Sequence, residues 1–176
     1  MPNIGLKVTR LEPRCLLLVH GSRESIRDLL DLRLHRDDIK HVAAVAGPRA
    51  FILSETDWLL VEHSLQDMRR RFLSGEGGRS QLQLVDVTQS WATLLIEGPE
   101  ARGALAAATN VRELLGSVEP QQYAGVRLER AHVIVQCVHA EGFQLYAERH
   151  LVSSIQEWLI AAAEGKAIVH RNERMH

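Results

Sequence analysis

The sequence predicts an α+β fold of two similar halves, each strand–helix–strand–strand–helix, with mostly antiparallel sheets. Three observations carry that prediction. Apolar runs of strand length are broken by Gly, Pro and Ser turns. Short amphipathic helices follow two of these breaks, Gly21-Ser22 and Gly98-Pro99. The order also recurs: LLLVHGSRESIRDLL from Leu16 resembles TLLIEGPEARGALAA from Thr93. WLLVEHSLQDMRRRFL from Trp58 likewise resembles FQLYAERHLVSSIQEWL from Phe143, with one gap. Such internal similarity marks a repeated supersecondary unit. We therefore expect residues 1–176 to form a single domain of two halves, about 7–73 and 82–160.

In chain order, Lys7 to Leu11 alternates and reads as a strand. Cys15 to Val19 is a continuous apolar run, as in a buried strand. A helix from Arg23 to Leu30 places Ile26, Leu29 and Leu30 on one face. Val42 to Val45 and Ala50 to Leu53 are short strands around Gly47-Pro48, and Trp58 to Val61 is another. Leu65, Met68 and Phe72 have helical spacing, and Ser74 to Ser80, SGEGGRS, is a loop. The second half begins with strands at Leu82 to Val87 and Ala92 to Ile96. Pro99 has the φ of a first helical position, and Glu100 suits the positive end of the helix dipole. That helix aligns Ala101, Ala104, Leu105 and Ala108. Strands follow at Val126 to Leu128, Val133 to Val138 and Phe143 to Tyr146. The last helix aligns Leu151, Val152, Ile155, Trp158 and Leu159, and Gly165 ends it.

A formal net charge of -1 gives no reason to expect a nucleic-acid partner. No apolar run reaches the length of a membrane span, and Met1 to Arg10 does not read as a secretory leader. Cys15 and Cys137 lie inside apolar runs, which fits buried thiols in a reducing, cytoplasmic compartment.

The stretch DVTQSWATLLIEGPEARGAL, Asp86 to Leu105, is followed by YAGVRL, Tyr123 to Leu128. In that order it resembles the folate-binding aminomethyltransferase, or glycine-cleavage T-protein, superfamily. GPRAFILSETDWLLV (Gly47 to Val61) and SSIQEWL (Ser153 to Leu159) are similar to the gamma-subunit family of heterotetrameric sarcosine oxidases. The resemblance runs from about Leu16 to Leu159 and implies a T-protein folate-binding-domain-like fold. It also implies a non-catalytic accessory subunit of a complex that oxidatively demethylates sarcosine or a related N-methylamine. Alpha, beta and delta subunits would be its partners, and would carry the FAD, FMN, NAD, tetrahydrofolate and zinc. The complex of N-methylglutamate dehydrogenase has a similar small subunit, so either parent enzyme fits. Folate-using relatives carry an acidic pair after the segment like GVRL; here Glu129-Arg130-Ala131-His132-Val133 offers one carboxylate beside an arginine. The competing reading is a stand-alone folate-binding aminomethyltransferase-like protein.

No other motif carries chemistry. Gly75 to Gly78 lacks the Lys-Ser/Thr of a phosphate loop. His35, Asp37, Asp38 and His41 read as a solvated connection rather than a metal site. His132 and His139, seven apart, fall on opposite faces of a regular strand, whereas Cys137 and His139 share one. Cys137 still reads as packing, because no orienting third group follows it. We expect no catalytic, cofactor or metal residues in this chain. Arg69, Arg70 and Arg71 read as a solvated helix face that becomes a candidate subunit contact in a complex. Trp91, at a strand entrance, is the candidate interface anchor; Trp58 and Trp158 read as core.

Overall fold

The computed structural model describes residues 5–12, 15–30, 49–62, 82–109, 118–120 and 122–165, with Gln66 and Arg70. The first half supplies β1 (Lys7–Arg10), β2 (Cys15–His20), α1 (Arg23–Leu30), β3 (Arg49–Ile52) and β4 (Asp57–Glu62). The second supplies β5 (Gln83–Asp86), β6 (Trp91–Glu97), α2 (Ala101–Ala108), β7 (Tyr123–Leu128), β8 (Ala131–His139), β9 (Gly142–Glu148) and α3 (Val152–Ala163). A short 3-10 turn, Arg149–Leu151, leads into α3. Among the described residues, no helix is long and apolar enough to cross a membrane. The predicted strand Val42 to Val45, the loop SGEGGRS and the His35–His41 cluster lie outside the described residues.

Two antiparallel sheets form. One has the order β1-β6-β9-β8-β7 and the other β3-β4-β2-β5. Read as β1-β6-β9-β8 and β5-β2-β4-β3, the two orders match position for position. The stretches similar in sequence therefore occupy equivalent places: β2 with β6, β4 with β9. The halves are not simply side by side, however. Strand β1 pairs with β6 (Lys7↔Glu97 through Arg10↔Leu94), and β5 pairs with β2 (Leu17↔Asp86 through His20↔Gln83). Each half thus lends its leading strand to the other's sheet.

Period-two side-chain alternation explains the layering. On β2, Leu17 and Val19 pack with Ile26 of α1, Trp58 and Leu60, while Leu16 points to the other sheet. There Leu16, Phe51, Leu59 and Val61 meet Tyr123, Ile134 and Tyr146. The Phe51 ring lies 5.0 Å from Tyr123 and 4.9 Å from Tyr146. The far face of the five-stranded sheet carries Leu94, Ile96, Val133, Val135 and Leu145 against Leu105, Ile155 and Leu159. The layers run helix, sheet, sheet, helices. Each fully buried Leu or Ile contributes about 1.5–3 kcal/mol.

The predicted face of α2 is the one buried: Ala101, Ala104, Leu105 and Ala108. On α3, Val152, Ile155 and Leu159 are buried, and Trp158 is half-buried against the same core. Gly165 ends that helix at φ +65.

Candidate functional site

A strand running into a helix N-terminus can hold an anion, because the first N–H groups lack helical partners. At Glu97–Ala101 that place is already filled. Glu100 N–H donates to the Gly5 carbonyl at 3.3 Å, and Ala101 N–H to Gly98 O at 3.0 Å. The Gly5 backbone crosses so closely that a Cβ on Gly98 would collide with the Gly5 carbonyl oxygen. Gly98 also sits at φ +117. Gly98-Pro99 is a packing joint, and the Glu100 side chain makes no cap.

The Asp-Val-Thr segment is a lock between the sheets. Thr88 N–H donates to Asp86 Oδ1 at 3.0 Å, and Leu16 N–H donates to Thr88 Oγ1 at 3.0 Å. Arg149 closes the same loop from the far side. Its Nε donates to Gln89 O at 2.6 Å, and Nη2 to the Thr88 and Trp91 carbonyls at 3.1 Å each. Nothing local marks Arg149 in the sequence, since these acceptors lie 58 to 61 residues upstream.

This clamp fixes Trp91, which is half-buried beside the inter-sheet core and lines a cleft of about 490 Å3. Register sets four of the lining residues in facing pairs. Trp91 pairs with Glu148, and Arg127 pairs with His132. Gly125, also in the lining, pairs with Ile134. It is exposed, and a Cβ there would meet nothing within 4 Å. Ile52 and Leu53, from the end of β3, form the opposite wall. Glycine in the middle of a strand is the one sequence signal that could have marked this place.

A second cleft, about 540 Å3, lies on the other side of Leu53 and is lined also by Arg23, Ser54, Glu55, Thr56 and Trp58. Its floor is a tight turn. Ser54 Oγ donates to Asp57 Oδ2 at 2.7 Å, and the His20 ring contacts Asp57 Oδ1 at 2.8 Å. The Ser54 hydrogen bond first, then that to His20, hold the Asp57 carboxyl below its ordinary range. The carboxylate stands between the hydroxyl and the imidazole, so the ring does not activate the serine as it would in a nucleophilic triad. Trp58 is 1% exposed, and its Nε1 has no hydrogen-bond partner among the described residues.

Deep between the sheets, Arg49 Nη1 donates to Gln144 Oε1 at 2.9 Å and Gln136 Oε1 at 3.2 Å. The Tyr146 hydroxyl donates to the same two oxygens, at 2.9 and 3.3 Å. The Tyr123 hydroxyl accepts Ile52 N–H at 2.8 Å, and burial pushes its phenol pKa up. These groups satisfy one another and tie the sheets together.

Cys137 is fully buried, and burial raises its thiol pKa against the pull of Arg102. The expectation that His139 shares its face is corrected by a bulge. Register shifts between Cys137 and His139, so Cys137 pairs with Phe143 but His139 with Gly142. The extra residue turns His139 away from the thiol, onto the face of His132 at the far end of the strand. Glu129 lies in the β7–β8 turn at φ +52, and its carbonyl accepts from Arg127 Nε at 3.0 Å. Arg70 is helical and exposed, whereas Arg69 and Arg71 lie outside the described residues. Among the described residues, no three His, Cys, Asp or Glu side chains cluster as a metal site would need.

No family profile and no curated protein matches this sequence. The fold does match solved structures. A chain of heterotetrameric sarcosine oxidase from Corynebacterium sp. U-96, in complex with pyrrole 2-carboxylate, superposes with a TM-score of 0.73 at 15% identity. The match covers 94% of this chain and 87% of that one. The glycine cleavage system aminomethyltransferase T from Bartonella henselae gives a TM-score of 0.61 at 14% identity. That match covers 89% of this chain and only 45% of the aminomethyltransferase, so this chain spans under half of it. The fold is T-protein-like.

Proposed function

We propose that this chain is an accessory, non-catalytic subunit, gamma-like, of a sarcosine-oxidase-type complex acting on an N-methylamine. The observation that carries the reading is the nearly end-to-end likeness to one chain of a heterotetrameric sarcosine oxidase. The internal chemistry supports it. Half-buried Arg49 with buried glutamine and tyrosine groups holds the two sheets together, the helix N-terminus is filled by Gly5, and Glu129 sits in a hairpin turn. In this reading FAD, FMN, NAD, tetrahydrofolate and zinc belong to the alpha, beta and delta partners. The contribution of this chain is buried surface, on the order of 2,000 Å2 for a permanent assembly.

Co-expression with the neighbouring reading frames of the source genome tests this. The chain is expected to co-purify with flavin-bearing partners and to carry no flavin alone. A stable monomer that oxidises N-methylamines unaided would overturn the reading. Saturable tetrahydrofolate binding by the isolated chain, followed by tryptophan fluorescence, would favour the folate-binding alternative instead.

A further inference from the structure

The two exchanged strands are held unequally. At β5, Leu82 is buried just before the strand, and the Asp86–Thr88 lock and the Arg149 clamp fix the chain just after it. The holds on β1 are weaker. From Gly5 to Glu12 no residue is fully buried. Leu6 and Val8 pack, partly buried, against a core that Leu94, Ile96, Leu105, Ile155 and Leu159 form from other elements. Among the described residues, β6 is the one strand that β1 pairs with. Beyond it, the Gly5 carbonyl meets Glu100 N–H at 3.3 Å, longer than an ordinary amide hydrogen bond.

Register divides the β6 amides into two sets. Leu11 N–H donates to Thr93 O at 2.9 Å, and the pairs of an antiparallel ladder alternate. Thr9 with Leu95 and Lys7 with Glu97 are therefore the hydrogen-bonded pairs. On the other side, Gly98 N–H donates to Glu141 O at 3.0 Å, so the same alternation bonds Leu94 and Ile96 to β9. Departure of β1 frees the N–H groups of Leu95, Glu97 and Glu100 together and leaves those of Leu94 and Ile96 paired.

We propose that Gly5 to Leu11 is a detachable strap. It lifts as one unit from β6 and from the first turn of α2, while the remaining strands and the helix-side core stay formed. Few buried apolar contacts and a single strand neighbour set a segment at the low end of the stability range within a fold. Closed, the strap fills the Glu97–Ala101 corner with the Gly5 backbone. Lifted, it presents the outer edge of β6 together with the free N–H groups of that corner, a surface the closed form lacks. The inference concerns this chain alone and holds whichever complex the chain joins.

Amide hydrogen exchange, followed by NMR on the full chain without denaturant, tests it. Thr9, Leu11, Leu95, Glu97 and Glu100 are expected to share a protection factor at least about tenfold below that of Leu94 and Ile96. Ile155→Val then weakens the core at a place that lifting of the strap leaves intact. It is expected to lower the protection of Leu94 and Ile96 about threefold or more and to leave the strap set unchanged. Equal protection of neighbouring amides along β6, or an equal drop in both sets in the variant, would mean that the strap leaves only by global unfolding and would overturn the proposal.

Discussion

The molecule contains the same corner twice, and the two copies have opposite fates. At β6–α2 the turn Gly98-Pro99 is covered by the amino-terminal segment, and the Gly5 carbonyl takes the helix's free N–H. At β2–α1 no described segment takes the place of Gly5; Gly21 is buried and Ser22 exposed. Gly21 N–H donates to Thr56 O at 2.9 Å, Ser22 Oγ accepts from Ser25 N at 3.2 Å, and Arg23 faces a cleft. One corner is sealed by chain and capped by backbone; the other is capped by its own serine and offers polar groups to its surroundings. Duplication supplies the scaffold twice, and the two copies differ in the group that takes the free N–H of the following helix.

The largest effect should come from breaking the seal. Gly98→Ala forces a Cβ toward the Gly5 carbonyl and puts alanine at φ +117, so a loss of about 3 kcal/mol or more is expected in urea denaturation. A loss under about 1 kcal/mol would mean that the crossing at Gly5 is dispensable. Next come the equivalent core leucines of the two corners, Leu17 and Leu94, both fully buried. Leu17→Ala and Leu94→Ala should each cost about 2–5 kcal/mol. Unequal losses would show that one sheet carries more of the stability and would break the symmetry argued here. Arg149→Met removes three hydrogen bonds to carbonyls in the Thr88–Trp91 loop. A loss of about 2 kcal/mol is expected, with a red-shifted tryptophan emission as Trp91 is released. Ser22→Ala removes the side-chain cap of the β2–α1 corner and should cost about 1 kcal/mol; the sealed corner has no such cap to lose. The smallest effect is that of pH. The folded Asp57 carboxyl is held below its ordinary value of 3.8. Its contribution is therefore complete above that value and lost as pH falls through the lowered one. Asp57→Asn should flatten the acid limb of the stability profile below about pH 4, read by thermal melts across pH.

What could be read from the sequence was local and periodic. The Cys15–Val19 run, the buried alanine stripe of α2 and the glycine stop at Gly165 follow from spacing within one element, and the structure places them accordingly. The exchange of β1 and β5 was not legible, because pairing partners such as Lys7 and Glu97 are far apart in sequence and leave no local mark. The bulge near His139 escaped for a related reason: one extra residue reverses a face without altering composition. The partial exposure of Trp91 was legible from its position after Thr88-Gln89-Ser90. Its setting beside Gly125, Arg127 and Leu53 required three distant strands to converge.

The exchanged leading strands also bear on how the chain is made. Lys7–Arg10 is synthesised first, yet its hydrogen-bonding partner Leu94–Glu97 leaves the ribosome only after the whole of the first half. In the interval the four-stranded sheet also lacks β5 along one side of β2. Neither half can finish its own sheet, so biogenesis cannot proceed as two independent foldings in series. The four-stranded sheet is complete once Gln83–Asp86 has emerged, whereas the five-stranded sheet waits for Gly142–Glu148, so Lys7–Arg10 waits longest for its finished sheet.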